Sequence, residues 1–283
     1  MKRHSTTATR RATPVRPPYP GTQAVLRAIA ILKAFTDARP ERSIAELSRE
    51  LGLHKTTVFR LLAALEREGL IARAAGSGVY RLGPDAIALG AQALRSNDLR
   101  TAAHAELVAL AASCGETTSL EVLVGDEVLV LDEILSRYLL GSTPAIGWRG
   151  PAHATSTGKV MLAAQRYEGG GASTPRRANT RTRLVKVTPH TITSVARLER
   201  ELFAIWKQGY ATAIEEVEPG LVAVGAPVRD HEGRVVAALS IAGPKIRLPP
   251  ARFPELAILV CQAAARVSQQ LGCPPARCSS LPS

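Results

Sequence analysis

The sequence predicts a two-domain α+β protein, and three observations carry that reading. The chain has 283 residues, enough for two separate cores. Its positive charge is concentrated at one end: residues 1–100 hold 17 Lys and Arg against 8 Asp and Glu, whereas residues 101–283 hold 19 against 16. Short helices followed by one small hairpin fill the first third, and longer alternating strands with helices between them fill the rest.

Composition narrows the field further. A hydrophobic fraction of 46% is that of a folded globular chain, and a net charge of +12 points to a polyanionic partner. Residues 1–20 are rich in Arg, Thr and Pro and read as a disordered basic arm. No apolar run reaches 18 residues, so no membrane partner is expected. The N-terminus lacks the apolar core of a signal peptide, so the expected location is the cytoplasm. Cys114, Cys261, Cys273 and Cys278 show no C-x-x-C spacing and read as reduced thiols; neither a metal nor another cofactor is expected.

Order begins near Thr22. Val25, Ile29 and Leu32, with Ala28 and Phe35 beside them, recur at helical spacing and predict a helix to about Ala38, ended by Arg39-Pro40. Ser43-Ile44-Ala45-Glu46 is a capping box that opens a short second helix carrying Ile44, Leu47 and Leu51. Gly52 closes it, since a glycine there tolerates the left-handed turn. A third helix follows after Leu53 and His54, with Val58, Leu61, Leu62 and Leu65 on its buried face.

Two short helices joined by a tight glycine turn form a helix-turn-helix, whose second helix enters the major groove of DNA. Lys55, Thr56, Thr57, Phe59, Arg60 and Arg67 make up its outward face. Hydroxyls and free amides at the helix start suit phosphate or base contact, and Arg60 can pair with guanine. His54 is a further candidate phosphate contact. A solvated basic helix face is the plainer alternative. The next segment favours DNA: two β-prone runs, 70–73 and 79–82, flank a Gly/Ser tip, with Arg73 and Arg81 beside it. A basic hairpin directly after a recognition helix is a wing, so residues 21–83 are expected to form a winged helix-turn-helix. Pro84 then opens a linker helix over residues 84–100, with Ile87, Leu89 and Leu94 as candidate contacts to a second subunit.

The second domain is expected over residues 101–272, with a disordered tail from 273 to 283. Leu120, Val122 and Val124, then Gly125-Asp126, then Val128 and Val130, describe a hairpin. Leu221–Val228 and Arg234–Ala242 form a second pair around Asp230-His231-Glu232-Gly233. Helices are expected from Ser156, over Val195, Leu198, Leu202 and Ile205, and over Leu256, Leu259, Val260, Ala263 and Val267. Residues 168–181 read as a mobile surface loop. The sum is an antiparallel sheet with outer helices.

Four stretches taken together resemble the IclR (isocitrate lyase regulator) family across residues 21–270: Ser43–Arg60 (SIAELSRELGLHKTTVFR), His153–Ala163 (HATSTGKVMLA), Gly209–Glu216 (GYATAIEE) and Gly220–Pro244. The first is shared with many regulators; the last three are specific as a set. The resemblance implies a GAF-like effector domain, a homodimer or a tetramer of paired dimers, and control of a double-stranded DNA operator by a small, often acidic metabolite. It also implies an effector pocket bordered by Leu139, Ser142, Ser156, Thr157, Ala213, Ala223, Ser240 and Ala242. Several members carry polar side chains where Ala213, Ala223 and Ala242 stand, so a less polar ligand is expected: a carboxylate on an apolar or aromatic body. Free amides at Ser156-Thr157 would hold the carboxylate. Glu215, Glu216 and Glu218 would lie on the pocket rim, and His153 reads as structural.

Two rival functions remain at this stage. Ser156 and Lys159 fit the S-x-x-K spacing of serine acyl-transfer enzymes, although neither S-D-N nor K-T-G accompanies them. The Gly158-Lys159 pair lacks both the spacing and the Ser/Thr of a phosphate loop. A non-specific DNA-packaging protein would explain the basic end and leave the second domain without a role.

Overall fold

The computed structural model describes residues 22–36, 38–74, 76–138, 146–168 and 184–275. The basic arm, Leu139, Ser142, Cys278, and nearly all of the expected 168–181 loop and the tail lie outside the described residues. The chain divides into two compact units, Met1–Ala93 and Leu94–Ser283.

The first unit contains α1 (Gln23–Lys33), β1 (Arg42–Ser43), α2 (Ile44–Leu51), α3 (Lys55–Arg67), β2 (Ile71–Arg73), β3 (Val79–Leu82) and most of α4 (Pro84–Arg95). Its three strands are antiparallel in the order β1-β3-β2. Ile31, Phe35, Leu47, Val58, Leu62, Leu65, Ile71 and Tyr80 form its core.

Two expectations for α1 need correction. The helix stops at Lys33 rather than Ala38, because the buried Arg42 guanidinium donates to the Ala34 carbonyl at 2.8 Å and pairs with Glu50. A cation on the last carbonyls is a favourable helix end. The buried face is also rotated: Ile31, Ala34 and Phe35 enter the core, while Val25 and Ile29 stay 59% and 41% exposed.

The capping box of α2 forms as the sequence predicts. Ser43 Oγ accepts from the Glu46 amide at 3.3 Å, and the Ser43 amide donates to Glu46 Oε2 at 2.8 Å. The Ser43 amide and hydroxyl both donate to Glu46 Oε2, and these two bonds hold the Glu46 carboxyl below its ordinary range. Gly52 takes φ +64° at the helix end. Ser43→Ala is expected to lower stability by about 1 kcal/mol, measured as a shift of the urea midpoint with the slope unchanged.

The second unit contains α5 (Asp98–Cys114), β4 (Thr117–Val124), β5 (Glu127–Ile134), β6 (Arg149–Pro151), α6 (Ser156–Tyr167), α7 (Val195–Gln208), β7 (Ala211–Ile214), β8 (Leu221–Arg229), β9 (Val235–Pro244) and α8 (Phe253–Gln270). Six strands form one antiparallel sheet in the order β6-β5-β4-β9-β8-β7. Alternation along β8 builds two layers. Val222, Val224, Ala226 and Val228 join Leu107, Leu256 and Val260 from α5 and α8 in one core. On the opposite face, Val128, Ala211 and Ala238 pack with Val160, Met161, Leu202 and Ile205 from α6 and α7.

Sequence patterning leaves α5 and β6 unassigned. The α5 stretch, DLRTAAHAELVALAASC, is rich in alanine, so few large side chains mark the face that carries buried Ala103, Leu107, Leu110 and Cys114. Order also continues into the expected tail: the Cys273 amide donates to the Ser268 carbonyl, and the side chain is buried.

Two local features shape the sheet. Leu120 faces Asp132 and Glu121 faces Val130, so Leu131 is an extra residue in β5, a β-bulge. Asp132 therefore meets α5, where His104 Nδ1 lies 2.7 Å and Arg100 3.4 Å from its carboxylate. Gly225 of β8 is the other feature: a Cβ there would lie 3.0 Å from Ser156 Oγ and from the Thr157 amide nitrogen. Its missing side chain lets the first turn of α6 rest on the sheet.

Candidate functional site

The exposed face of α3 begins where the chain leaves the glycine turn. Lys55, Thr56, Phe59 and Arg60 are solvent-facing, Phe59 by 53%, and with Ile44 and Ala45 of α2 they border a shallow groove of about 600 Å³. Lys55 and Arg60 have no ion pair among the described residues. Thr57 is half-buried beneath this face. Arg67 stands at the far end of α3 and pairs with Glu68 at 3.0 Å. His54 is exposed at the N-cap of α3, without a side-chain cap bond.

Arg73 and Arg81 lie on opposite faces of the hairpin. Arg73 is registered with Tyr80 and Arg81 with Ala72, and paired residues share a face. Arg73 leans over the Tyr80 ring at 5.9 Å, while Arg81 projects into solvent. The structure thus gathers Lys55, Thr56, Phe59 and Arg60 on one surface, while Arg67 and Arg73, also exposed, lie elsewhere beside Glu68 and Tyr80.

The second unit holds a cavity of about 470 Å³ between the sheet and the start of α6. Ser156, Thr157, Ala213, Ala223, Ser240 and Ala242 all line it. Trp148, Val187, Val217 and Leu221 supply further apolar surface. The α6 helix is capped by Thr155, whose Oγ1 accepts from the Gly158 amide at 3.0 Å, and the amides of Ser156 and Thr157 precede any intrahelical acceptor.

Glu216 and Glu218, expected on the rim, line this cavity, whereas sequence reasoning missed its third acid, Glu121. Glu121 of β4 is buried in its wall, accepting from Ser119 Oγ at 2.8 Å and Thr157 Oγ1 at 2.5 Å. Burial raises its pKa above the ordinary carboxylate range against those two bonds. Ser119 and Ser240 hydroxyls lie 2.8 Å apart in the same wall. The signal available in the sequence was a charged residue at the Glu121 position of an alternating strand, on the face opposite Leu120.

Glu216 also lines the cavity, and a strained turn aims it there. Glu215 sits at φ +57°, the one non-glycine residue with positive φ among those described. The turn is pinned: Thr188 Oγ1 donates to the Glu215 carbonyl, Thr191 Oγ1 donates to the Glu216 carbonyl at 2.7 Å, and Lys245 pairs with Glu215. Glu216 Oε1 accepts from Lys159 Nζ at 2.7 Å. Burial raises the Glu216 pKa, opposed by the Lys159 charge.

Lys159 is fully buried, and its ammonium donates to both Glu201 and Glu216. An amine held as a cation between two carboxylates cannot serve as the base that an S-x-x-K reading of Ser156 requires. His153 is buried with Nε2 3.1 Å from the Val185 carbonyl, and burial lowers its pKa, so it packs as a neutral ring. Cys114 and Cys261 are free thiols, and the described residues contain no cluster of three potential metal ligands.

Glu133, registered with Ser119, lies on the Glu121 side of the sheet. Burial and the neighbouring Glu121 charge push its pKa up to about 7. A raised acid binds more protons folded than unfolded, so its contribution to stability falls as pH rises from about 4.5 to 7. Glu133→Gln is expected to flatten that fall, read from denaturation midpoints across this window.

Known proteins account for this pairing of surfaces. The model of the bacterial transcriptional regulator IclR C-terminal domain matches residues 91–269, and that of the IclR helix-turn-helix domain matches residues 24–75. The regulator KdgR of Dickeya chrysanthemi is 34% identical, covering 88% of this chain and 80% of its own length. The regulator XynR of Escherichia coli is 33% identical, covering 89% and 98%. Among solved structures, an IclR transcriptional regulator from Alicyclobacillus acidocaldarius superposes with a TM-score of 0.75 at 30% identity, covering 88% of this chain and 98% of that one. An IclR homologue from Microbacterium hydrocarbonoxydans, complexed with 4-hydroxybenzoate, gives 0.72 at 27%, covering 88% and 99%. The chain is a regulator with a helix-turn-helix and an effector-binding domain rather than an enzyme, and it belongs to the IclR family of bacterial transcription regulators.

Proposed function

We propose that residues 21–83 bind a specific double-stranded operator, and that a small molecule seated in the 470 Å³ cavity of residues 101–272 sets the affinity of that binding. Residues 84–100 would join the two. One observation carries the DNA assignment: Lys55, Thr56, Phe59 and Arg60 are exposed on a helix whose other face is the core of its unit. Lys55 and the amides at the start of α3 reach phosphate, Arg60 reads a guanine edge, and Phe59 packs on a thymine methyl. Arg81 grips the neighbouring backbone.

The cavity suits a ligand with one carboxylate on an apolar body. The free amides of Ser156 and Thr157 receive the carboxylate, and Trp148, Val187 and the three alanines receive the body. The Microbacterium homologue's 4-hydroxybenzoate has that form.

The working unit is proposed to be a cytoplasmic homodimer. Val25, Leu26 and Ile29 of α1 and Ile87 and Leu89 of α4 are large apolar side chains between 41% and 72% exposed, more than a monomer ordinarily leaves in water on two helices. No described helix is long and apolar enough to cross a membrane. Sedimentation equilibrium distinguishes monomer, dimer and tetramer.

Fluorescence anisotropy at fixed physiological salt, with DNA from upstream of the protein's own gene against scrambled DNA, tests the regulator reading. A preference of about 10³-fold or more is expected, changing when the effector is added. Equal affinity for every genomic and scrambled fragment, with and without metabolites, would restore the packaging alternative.

A further inference from the structure

We infer that the effector carries hydroxyl groups directed at Glu121 and Glu216, and no second carboxylate. The inference rests on the reading of the cavity as the effector site and specifies the ligand's chemistry.

The first observation is an unsatisfied acceptor. Glu216 is 7% exposed, its Oε1 is taken by Lys159, and its Oε2 is buried without a hydrogen-bond partner among the described residues. A buried carboxylate oxygen left unpaired is costly, and a donor in the cavity relieves that cost.

The second is the direction of the hydroxyl chain on the sheet. Ser119 gives its single proton to Glu121, so the Ser119–Ser240 contact requires Ser240 to donate to Ser119. Thr157 gives its proton to Glu121 as well. Those three hydroxyl protons are spent inside the wall, so Ser119, Ser240 and Thr157 present acceptors to the ligand.

The third is charge. Glu121, Glu216 and Glu218 line the cavity, and among the described residues no Lys, Arg or His does. Lys159 lies behind Glu216 and is shared with Glu201, so one cation faces two anions. One ligand carboxylate is served by the α6 amides; a second would meet three acids and no cation among the described lining residues. A hydroxyl both donates and accepts, so it fits the wall whichever way its protons run.

Calorimetry on the full chain with two matched series tests this: hexanoate, adipate and gluconate, and benzoate, terephthalate and 3,4-dihydroxybenzoate. In at least one series the hydroxylated member is expected to bind tenfold or more tighter than its partners. Glu216→Gln, which keeps an acceptor for Lys159 and can turn a donor toward the cavity, is expected to cost that member tenfold and to improve the dicarboxylate. Ala223→Trp, checked for native circular dichroism, fills the cavity and is expected to abolish binding. Dicarboxylates or bare acids binding as tightly as hydroxylated members, with Ala223→Trp abolishing it, would overturn the inference and leave the cavity as the effector site. Binding indifferent to Ala223→Trp would remove the cavity reading itself. Absence of binding by both hydroxylated members would overturn the inference.

Discussion

Lys159→Met is expected to destabilise the protein by about 3–5 kcal/mol, the usual cost of leaving a buried charge without its partner. The ammonium is 0% exposed and is the cation on which Glu201 and Glu216 both close. Methionine fills much the same volume, so lost packing is a minor part. The charge account has a pH signature. Burial already raises the Glu216 pKa while Lys159 lowers it; without Lys159 it rises further. A raised acid takes up a proton on folding, so stability falls as pH climbs from the unfolded value toward the folded one. The deficit of the variant, measured by guanidinium denaturation, should therefore be smaller at pH 5 than at pH 8. Adding Glu216→Gln should recover part of it. A deficit equal at both pH values would mean that Lys159 acts through packing alone.

The second large effect concerns DNA. Arg60→Ala is expected to reduce discrimination between operator and scrambled DNA by about 1–3 kcal/mol, the contribution of the guanine contact proposed for Arg60. Arg81→Ala should instead weaken all DNA alike and lower the slope of log affinity against log salt by about one ion. The contrast follows from position: Arg60 stands one turn into α3 on the exposed face, and Arg81 stands on the hairpin away from the Tyr80 side. Equal, sequence-blind losses from both substitutions would refute the assignment of α3 as the reading helix.

The first unit was legible in most respects because its signals are local. A capping box, a glycine at the end of α2 and an i, i+3, i+4, i+7 stripe on α3 each act within a few residues. The end of α1 was not, since the residue that fixes it, Arg42, acts eight positions away through a buried bond to Ala34. In the second unit the hairpins read correctly from alternation, while α5 escaped because alanine leaves its buried face with little contrast. The cavity was half legible. The six described positions carried over from the family resemblance do come together, but the resemblance described a wall in which alanines stand where others are polar. Further polar groups of this chain enter from β4 and from the strained turn at Glu215, and they are the ground for adding hydroxyls to the expected carboxylate on an apolar or aromatic body.

The bulge in β5 sets sidedness by counting. An ordinary strand assigns odd and even residues to opposite layers, and Val128 and Val130 follow that rule. The surplus Leu131 inverts parity for everything after it, so neighbouring acids serve different layers: Asp132 anchors α5, and Glu133 stands on the Glu121 side. Straightening the ladder without removing a residue would trade them, leaving His104 and Arg100 without their carboxylate and placing Asp132 beside Glu121. Loss of Leu131 together with the bulge would keep both where they are. Chain length at this one position therefore decides which of two neighbouring backbone positions stands on the Glu121 side of the sheet.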